Sequence, residues 1–328
     1  MCGIAGILNF DRAPVDARAI EKMTHSLRHR GPDFEDRYVK GSMGFGHTRL
    51  SIIDLSSAGN QPMATDDKNF WIVYNGELYN YKDIKAELSR EGYSFRSDTD
   101  TEVVLKSYQH WGPKCLDRFN GMFAFAVWDE AEQTLFLARD RMGEKPLYYW
   151  QSGTAFAFAS EIKALLQHDA VKREIDFSSF DNYLTLRYVP GPNTIFKNIQ
   201  KLPPAHYMLV RDSKVETKRY WDFEFVVDSG RTEQEWEEEF YDLLKDSVKR
   251  RLMSDVPLGV FLSGGVDSTM ITGLMRQLEQ NPINTFSVGF ETEVDERPVA
   301  RAVSEHFGTT HREFVVNAED FSRLPEII

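Results

Sequence analysis

The chain opens on residues that could do nucleophilic chemistry, Met1-Cys2-Gly3-Ile4-Ala5-Gly6-Ile7. Cysteine is small, so an aminopeptidase that removes Met1 would leave Cys2 as the first residue. A thiol and a free α-amine would then share one residue. The amine titrates near about pH 8, so part of it is neutral at about pH 7 and can accept a proton. A nucleophile activated by an N-terminal amine is a recognised catalytic arrangement. Ile4, Ile7 and the small residues around them read as a buried strand that would hold this terminus rigidly. A cysteine also reaches the second position by chance, and the heptapeptide alone slightly favours that reading.

A second stretch with chemical character is Phe261-Leu262-Ser263-Gly264-Gly265-Val266-Asp267-Ser268. Its two glycines let the backbone approach a ligand with no Cβ in the way. A helix starting there would present free N–H groups and a partial positive charge, which suit pyrophosphate. Ser263 and Ser268 add hydroxyl donors. Asp267 could hold Mg²⁺ that bridges phosphates, since this hard cation prefers carboxylate oxygen and water. The bland alternative is a glycine turn with ordinary caps; the position between a strand and a helix favours the phosphate loop. No lysine follows the glycines, which disfavours kinase-type transfer of a γ-phosphate.

Polar residues suited to an amino-acid substrate lie in the first half. Arg49 could pair bidentately with an α-carboxylate. Asn75 and Gly76, read as a tight turn, could supply a side-chain amide and a backbone N–H to an oxyanion. Glu77 and Asp100 could receive an α-ammonium. Taken singly, each has an ordinary structural alternative: a surface arginine, a hairpin turn, a helix cap. Spacing does not bring them together.

The elements that must position these groups follow from periodicity. Residues 1–10 read as a strand, and 16–28 as a helix with Ile20, Met23 and Leu27 on one face. Strands are expected at 43–53 and 70–74, the latter ending in the turn dipeptide Asn75-Gly76. Helices at 81–91 and 100–110 are followed by strands at 122–128, 134–138, 146–150 and 155–159. This mixture predicts an α+β sandwich over 1–190. Proline-rich segments at 190–192 and 202–204 place a junction there, with a linker and hairpin over 191–230. From 231 to 328 strands and helices alternate: a helix at 232–252, a strand at 258–262, a helix at 267–278, a strand at 283–289, a helix at 295–307 and a strand at 310–316. Alternation argues for a parallel sheet with covered faces. The apolar tip Ile327-Ile328 reads as an interrupted element, so this second domain is expected to be incomplete.

Composition bounds the partners. The chain has 328 residues, a net charge of −12 and 41% hydrophobic residues. The acidic balance argues against nucleic acid, which needs a basic surface. No apolar run is long enough to span a bilayer, and the N-terminus lacks an export signal pattern. There are only two cysteines, Cys2 and Cys115. With Cys2 catalytic and Cys115 in the core, no disulfide framework remains, which fits a reducing cytoplasm. A homodimer is compatible with the sequence.

Cys2-Gly3-Ile4, Arg30-Gly31-Pro32-Asp33, Arg49-Leu50-Ser51-Ile52, Tyr74-Asn75-Gly76-Glu77 and Asp100-Thr101-Glu102 resemble, in order, the class II (N-terminal-nucleophile) glutamine amidotransferases. Phe119-Asn120-Gly121-Met122-Phe123-Ala124, Ala138-Arg139-Asp140-Arg141, Gly143-Glu144-Lys145-Pro146-Leu147-Tyr148 and Ala159-Ser160-Glu161-Ile162-Lys163 are similar to one branch, the glutamine-hydrolysing asparagine synthetases. So are Pro190-Gly191-Pro192, Lys201-Leu202-Pro203-Pro204 and the Ser263–Ser268 loop. The resemblance implies an αββα Ntn-hydrolase sandwich followed by an incomplete α/β PP-loop domain. It implies that Cys2 attacks the glutamine amide, that Asn75 and Gly76 stabilise the oxyanion, and that Arg49, Glu77 and Asp100 hold the amino-acid end. Ammonia would then reach aspartate activated by ATP and Mg²⁺. Ser263, Gly264, Gly265, Asp267 and Ser268 would bind pyrophosphate, with Asp267 on the metal. Leu262, Val288 and Gly289 would line the adenine and ribose. Asp295 and Glu296 stand where the family has an acidic pair. Relatives in this family amidate other carboxylates, so the acceptor stays open; a further alternative is that this form is only a glutaminase or a non-catalytic fragment. The family continues well past residue 328, with a second glycine-rich loop and a phosphate-contacting lysine, so the chain resembles the N-terminal portion of such a synthetase.

Overall fold

A computed structural model describes residues 1–279, 281–290, 295–317, 319 and 322. The expected interrupted element at 327–328 lies outside the described residues. The chain divides into two compact units, Met1–Phe225 and Val226–Ile328.

The first unit runs β1 (Gly3–Asn9), α1 (Ala17–His25), β2 (Phe34–Lys40), β3 (Met43–Arg49), β4 (Met63–Ala64), β5 (Phe70–Leu78), α2 (Tyr81–Arg90), α3 (Asp100–Trp111), β6 (Gly121–Asp129) and β7 (Thr134–Arg139). It continues with β8 (Tyr148–Gln151), β9 (Ala155–Ala159), α4 (Ile162–Leu165), α5 (Phe177–Leu186), β10 (Ile199–Lys201), β11 (His206–Arg211) and β12 (Lys214–Arg219). The strands form two six-stranded sheets, ordered β10-β8-β9-β1-β3-β2 and β12-β11-β7-β6-β5-β4. Their neighbours pair antiparallel.

Alternation along the strands builds the layers. Ile4 and Leu8 of β1, Phe45 of β3 and Phe156 and Phe158 of β9 face Val73, Ala126, Trp128 and Leu137 of the other sheet in one buried core. The intervening residues Ala5, Ile7, Ala157 and Ala159 turn outward and pack under Ile20, Met23, Ala164 and Leu165 of α1 and α4. On the far side, Tyr108 of α3 meets Phe70 and Phe136 with ring centroids 6.0 and 4.7 Å apart. Each large apolar side chain so buried contributes about 1.5–3 kcal/mol. The result is the expected αββα sandwich.

Three local expectations change. The strand at 43–53 stops at Arg49. Beyond it the carbonyls of Ile53, Asp54 and Ser56 curl around the Arg49 guanidinium, with Asp54 in the left-handed region at φ 54°. Asn75-Gly76 is not a turn: β5 runs through both to Leu78, paired with β6 as Asn75↔Ala124 and Gly76↔Phe123. Glycine is required there by close approach, since a Cβ would lie 2.4 Å from the Met122 carbonyl oxygen and 2.8 Å from Phe123 Cα. Third, the segment 191–230, expected as linker and hairpin, supplies β10 to one sheet and β11 and β12 to the edge of the other. The first unit therefore extends to Phe225.

The second unit contains α6 (Glu233–Arg251), β13 (Gly259–Phe261), α7 (Val266–Leu278), β14 (Asn284–Phe290), α8 (Arg297–Phe307) and β15 (Thr310–Val316). Its sheet is parallel, in the order β13-β14-β15. Thr232 and Glu235 form a reciprocal capping box that starts α6. Val248, Leu274, Met275 and Ile283 form its small core. No helix among the described residues is long and apolar enough to cross a membrane.

Candidate active site at the N-terminus

Cys2 immediately precedes β1. Its Sγ lies 3.4 Å from the Leu50 N–H, which donates to it, and 3.7 Å from the Leu50 carbonyl. Burial pushes the thiol pKa up; the Leu50 N–H opposes this, and the carboxylates of Glu77 and Asp100 add to it. The thiol therefore rests protonated and needs a base. The α-amine of the adjoining residue, Met1, has its pKa lowered by burial; Cys2 and Glu77 oppose this, and the charges of Arg30 and Lys145 add to it. A lowered amine pKa enlarges its neutral, proton-accepting fraction near neutrality.

β5 carries Asn75, Gly76 and Glu77 past this thiol. Tyr74, one residue earlier, is pinned from three sides. Its N–H donates to Gln61 Oε1 at 2.6 Å, its carbonyl lies 3.2 Å from His47 Nε2, and its hydroxyl donates to Asp100 Oδ2 at 2.9 Å. A ring nitrogen facing a carbonyl must carry the proton, so His47 donates from Nε2. Burial keeps this histidine neutral, with its pKa lowered to about 3. Asn75 is 1% exposed, and its Nδ2 has no hydrogen-bond partner among the described residues. A buried amide donor left unpaired is costly in a resting structure, and such a group calls for a partner that arrives during the reaction.

Asp100 opens α3, whose N-cap is Thr99. Its Oδ2 also accepts from the Leu78 N–H at 2.8 Å. Burial raises the pKa of both Asp100 and Glu77, and Asp100 raises Glu77 further. Two carboxyls sharing a buried site repel when both ionise, and an arriving ammonium relieves that repulsion.

Arg49 is almost wholly buried. Its Nη1 donates to Ser56 O at 2.7 Å and Asn60 Oδ1 at 2.8 Å, and its Nη2 to the carbonyls of Ile53 and Asp54. Its guanidinium thus builds the loop wall of the site. Cys2, Arg49, Gly76, Glu77 and Asp100 all line one cavity of about 30 Å³. That volume holds about one water, so a larger ligand must displace part of the lining.

Sequence reasoning did not assign Gln61, His47, Arg30 or Lys145 a place here. Arg30 Nε donates to the Cys2 carbonyl at 2.9 Å. Asp140, fully buried, accepts from the N–H groups of Phe123, Met142, Glu144 and Lys145, which folds the 140–145 loop. That loop brings Lys145 Nζ to 3.3 Å from Met1 Sδ. The only local signals were their membership of the Arg30-Gly31-Pro32-Asp33 and Gly143–Tyr148 motifs. Cys115 is fully buried in the core, as expected.

In the second unit the Ser263–Ser268 loop links β13 to the 13-residue α7. Gly264 takes φ 78°, and its Cβ would fall 2.8 Å from Val299. Gly265, the N-cap, makes no side-chain cap, so the first N–H groups of α7 are not capped by that residue. Ser263 and Ser268 hydroxyls sit 3.1 Å apart across the loop. Leu262 is buried next to Ser287, whose hydroxyl donates to its carbonyl. Val288 and Gly289 lie at the same C-terminal side of β14, where open parallel sheets bind ligands. Asp295 is engaged by Arg297 Nε at 2.9 Å. Among the described residues no group of three or more His, Cys, Asp or Glu is placed to hold a metal. Asp267 stands as a single carboxylate, which suits an ion whose other ligands are phosphates and water.

The sequence matches the family model described as "Glutamine amidotransferase domain" over residues 1–221 and that described as "Asparagine synthase" over residues 239–328. It is 38% identical over 342 aligned positions to asparagine synthetase (glutamine-hydrolyzing) 3 of Bacillus subtilis, covering 98% of this chain and 55% of that protein. It is 36% identical to asparagine synthetase (glutamine-hydrolyzing) 1 of the same organism, covering 100% of this chain and 52% of that protein. Amidase chry2 of Gibberella zeae is 37% identical over 294 positions, covering 85% of this chain and 43% of that protein. The chain thus spans about half the length of these relatives. Among solved structures, the allosteric regulatory enzyme of purine biosynthesis shares the fold, with a TM-score of 0.52 at 16% identity over 96% of this chain and 80% of that one. The chain belongs to the glutamine amidotransferase domain family, and its residues 239–328 carry the asparagine synthase match.

Proposed function

We propose that this protein takes part in glutamine-dependent asparagine synthesis: glutamine, aspartate, ATP and water give asparagine, glutamate, AMP and pyrophosphate. The observation that carries the first half-reaction is one cavity lined by the Cys2 thiol and the Glu77–Asp100 pair, with the unpaired Asn75 amide on the adjoining residue of β5. The second half rests on the asparagine synthase match and on the loop at the start of α7.

Removal of Met1 leaves the α-amine on Cys2. That amine takes the Sγ proton as sulfur attacks the side-chain amide carbon of glutamine. Asn75 Nδ2 and the Gly76 N–H donate to the oxygen that becomes negative. Glu77 and Asp100 receive the α-ammonium, and Arg49 with its loop faces the α-carboxylate. The amine then returns the proton to the departing nitrogen, and the C–N bond breaks to release ammonia. Water cleaves the glutamyl thioester to glutamate and restores the thiol. Ammonia, rather than ammonium, is the nucleophile for the activated carboxylate.

In the second unit Ser263, Gly264, Gly265 and Ser268, with the N-terminus of α7, would hold the pyrophosphate of ATP. Asp267 would carry Mg²⁺, which neutralises phosphate charge when bound. Leu262, Val288 and Gly289 would flank adenine and ribose. The two unpaired cysteines suit a cytoplasmic setting.

The test is glutaminase and amide-synthesis assays of the protein with its Cys2→Ala variant. The variant loses glutamine hydrolysis and keeps whatever synthesis external ammonia supports. Retained glutamine use would overturn the assignment. A second reading changes the acceptor alone, and the likeness to a protein named an amidase favours keeping it. Product analysis with aspartate as sole acceptor separates the two.

A further inference from the structure

A nucleophile on a terminal residue is tethered on one side only, so its position depends on non-covalent contacts made close to it. Ser160 and Glu161, between β9 and α4, make such contacts. Ser160 grips β1 at its first turn of pleat: the Ile4 N–H donates to Ser160 Oγ at 3.0 Å, and the Ser160 N–H donates to the Ile4 carbonyl at 2.9 Å. Glu161 works two residues closer, on the nucleophilic residue itself, through Arg30. Arg30 Nη1 donates to Glu161 Oε1 at 2.7 Å, while Arg30 Nε donates to the Cys2 carbonyl at 2.9 Å.

The Arg30 side chain is 9% exposed, and its Nη2 is buried without a partner among the described residues. Its orientation is therefore set at two points, the Cys2 carbonyl and Glu161. Glu161 is in turn fixed by His29 Nε2 at 3.0 Å and by Lys163 Nζ at 3.4 Å. Burial opposes its ionisation, yet the bonds from Arg30 and His29 prevail and hold its carboxyl below the ordinary range. Glu161 is thus a charged, braced anchor more than 130 residues away in sequence from the group it steers.

We propose that Ser160-Glu161 is the seat of the nucleophile, Glu161 acting as a positioning residue that fixes Cys2 through Arg30. Glu161 does not line the cavity and touches no reacting atom. Its effect is on where the thiol stands. This inference rests on Cys2 being the glutaminase nucleophile.

The test is a double-variant cycle on the full chain with Glu161→Gln and Arg30→Met, reading kcat and KM for glutamine, the melting temperature, and the rate at which iodoacetamide alkylates Cys2. Cys115 is fully buried, so alkylation reports Cys2. E161Q should lower kcat about 10- to 100-fold, the scale expected for a misplaced reacting group, with KM changed far less. The double variant should be no slower than R30M alone, because both act on one contact chain. E161D, with the charge kept on a shorter stem, should fall between wild type and E161Q, and it serves as the reporter if E161Q does not fold. Wild-type kcat in E161Q or E161D, or multiplicative losses in the double variant, would overturn the proposal. Should the wild type show no Cys2-dependent glutaminase activity, the reading of the site fails instead. The alkylation rate then decides the seat by itself: an E161Q rate equal to wild type rejects it.

Discussion

Asn75→Ala separates catalysis from stability more sharply than any other change at this site. Asn75 Nδ2 is buried and makes no hydrogen bond among the described residues of the resting protein. Folding has therefore removed a donor from water without repaying it, a cost of about 1–3 kcal/mol that the alanine variant recovers. Against this stands the small void left by three missing heavy atoms, roughly another 1–3 kcal/mol by analogy with core truncations. The two terms nearly cancel, so the melting temperature should move by only a few degrees in either direction. The catalytic term has no such offset. Losing one oxyanion donor costs about 100- to 1,000-fold in kcat, or about 2.7–4 kcal/mol. The assay is steady-state glutamate release from glutamine, followed beside a thermal melt of the same preparation. The expected outcome is a collapse of kcat with KM and melting temperature close to wild type. Unchanged kcat would show that Nδ2 faces something other than the reacting oxygen. A large loss of stability in parallel would show that the amide holds the fold rather than the reacting oxygen.

Other changes test neighbouring steps. Gly76→Ala would put a Cβ 2.4 Å from the Met122 carbonyl oxygen, so it should destabilise the first unit by about 1–3 kcal/mol and show an earlier melt together with lost glutaminase activity. Glu77→Gln has a pH signature. Burial and Asp100 raise the Glu77 pKa, so the stability it contributes is complete below the ordinary glutamate range and is lost as pH rises through the raised value. E77Q should therefore gain melting temperature relative to wild type as the pH is raised, while its KM for glutamine increases; a difference that is flat with pH would contradict the shared-charge picture. Gly264→Ala forces φ 78° on a residue with a Cβ and crowds Val299, and should lower the second unit's melting transition while leaving glutamine hydrolysis intact.

Much of this site was legible in residue types and motif order, but its geometry was not. Cys2, Glu77 and Asp100 carry chemistry that their identities announce, and they do meet at one cavity. Asn75-Gly76 misled because the dipeptide favours turns locally, whereas here the glycine answers a demand of the neighbouring strand that no local rule contains. Arg49 read as a carboxylate clamp, and in the fold most of its donors hold loop carbonyls. His47, Gln61 and Glu161 act across separations of 27, 13 and 131 residues, which periodicity does not encode. The helix α5 and the strand β2 escaped notice because α5 leaves most of its apolar residues exposed and β2 is a charged edge strand. The parallel unit was read more fully, since its strands and helices alternate with clear periods and its strand Thr310–Val316 ends where the pattern placed it.

The central claim is that sulfur and a free amine on one residue perform the first step. Intact-mass analysis of the purified protein, quenched during glutamine turnover and followed by N-terminal peptide mapping, addresses it directly. The account predicts that active molecules begin at Cys2 and that the glutamyl adduct sits on that residue. Hydrolysis at full rate by chains that still carry Met1, or an adduct at any other position, would contradict it.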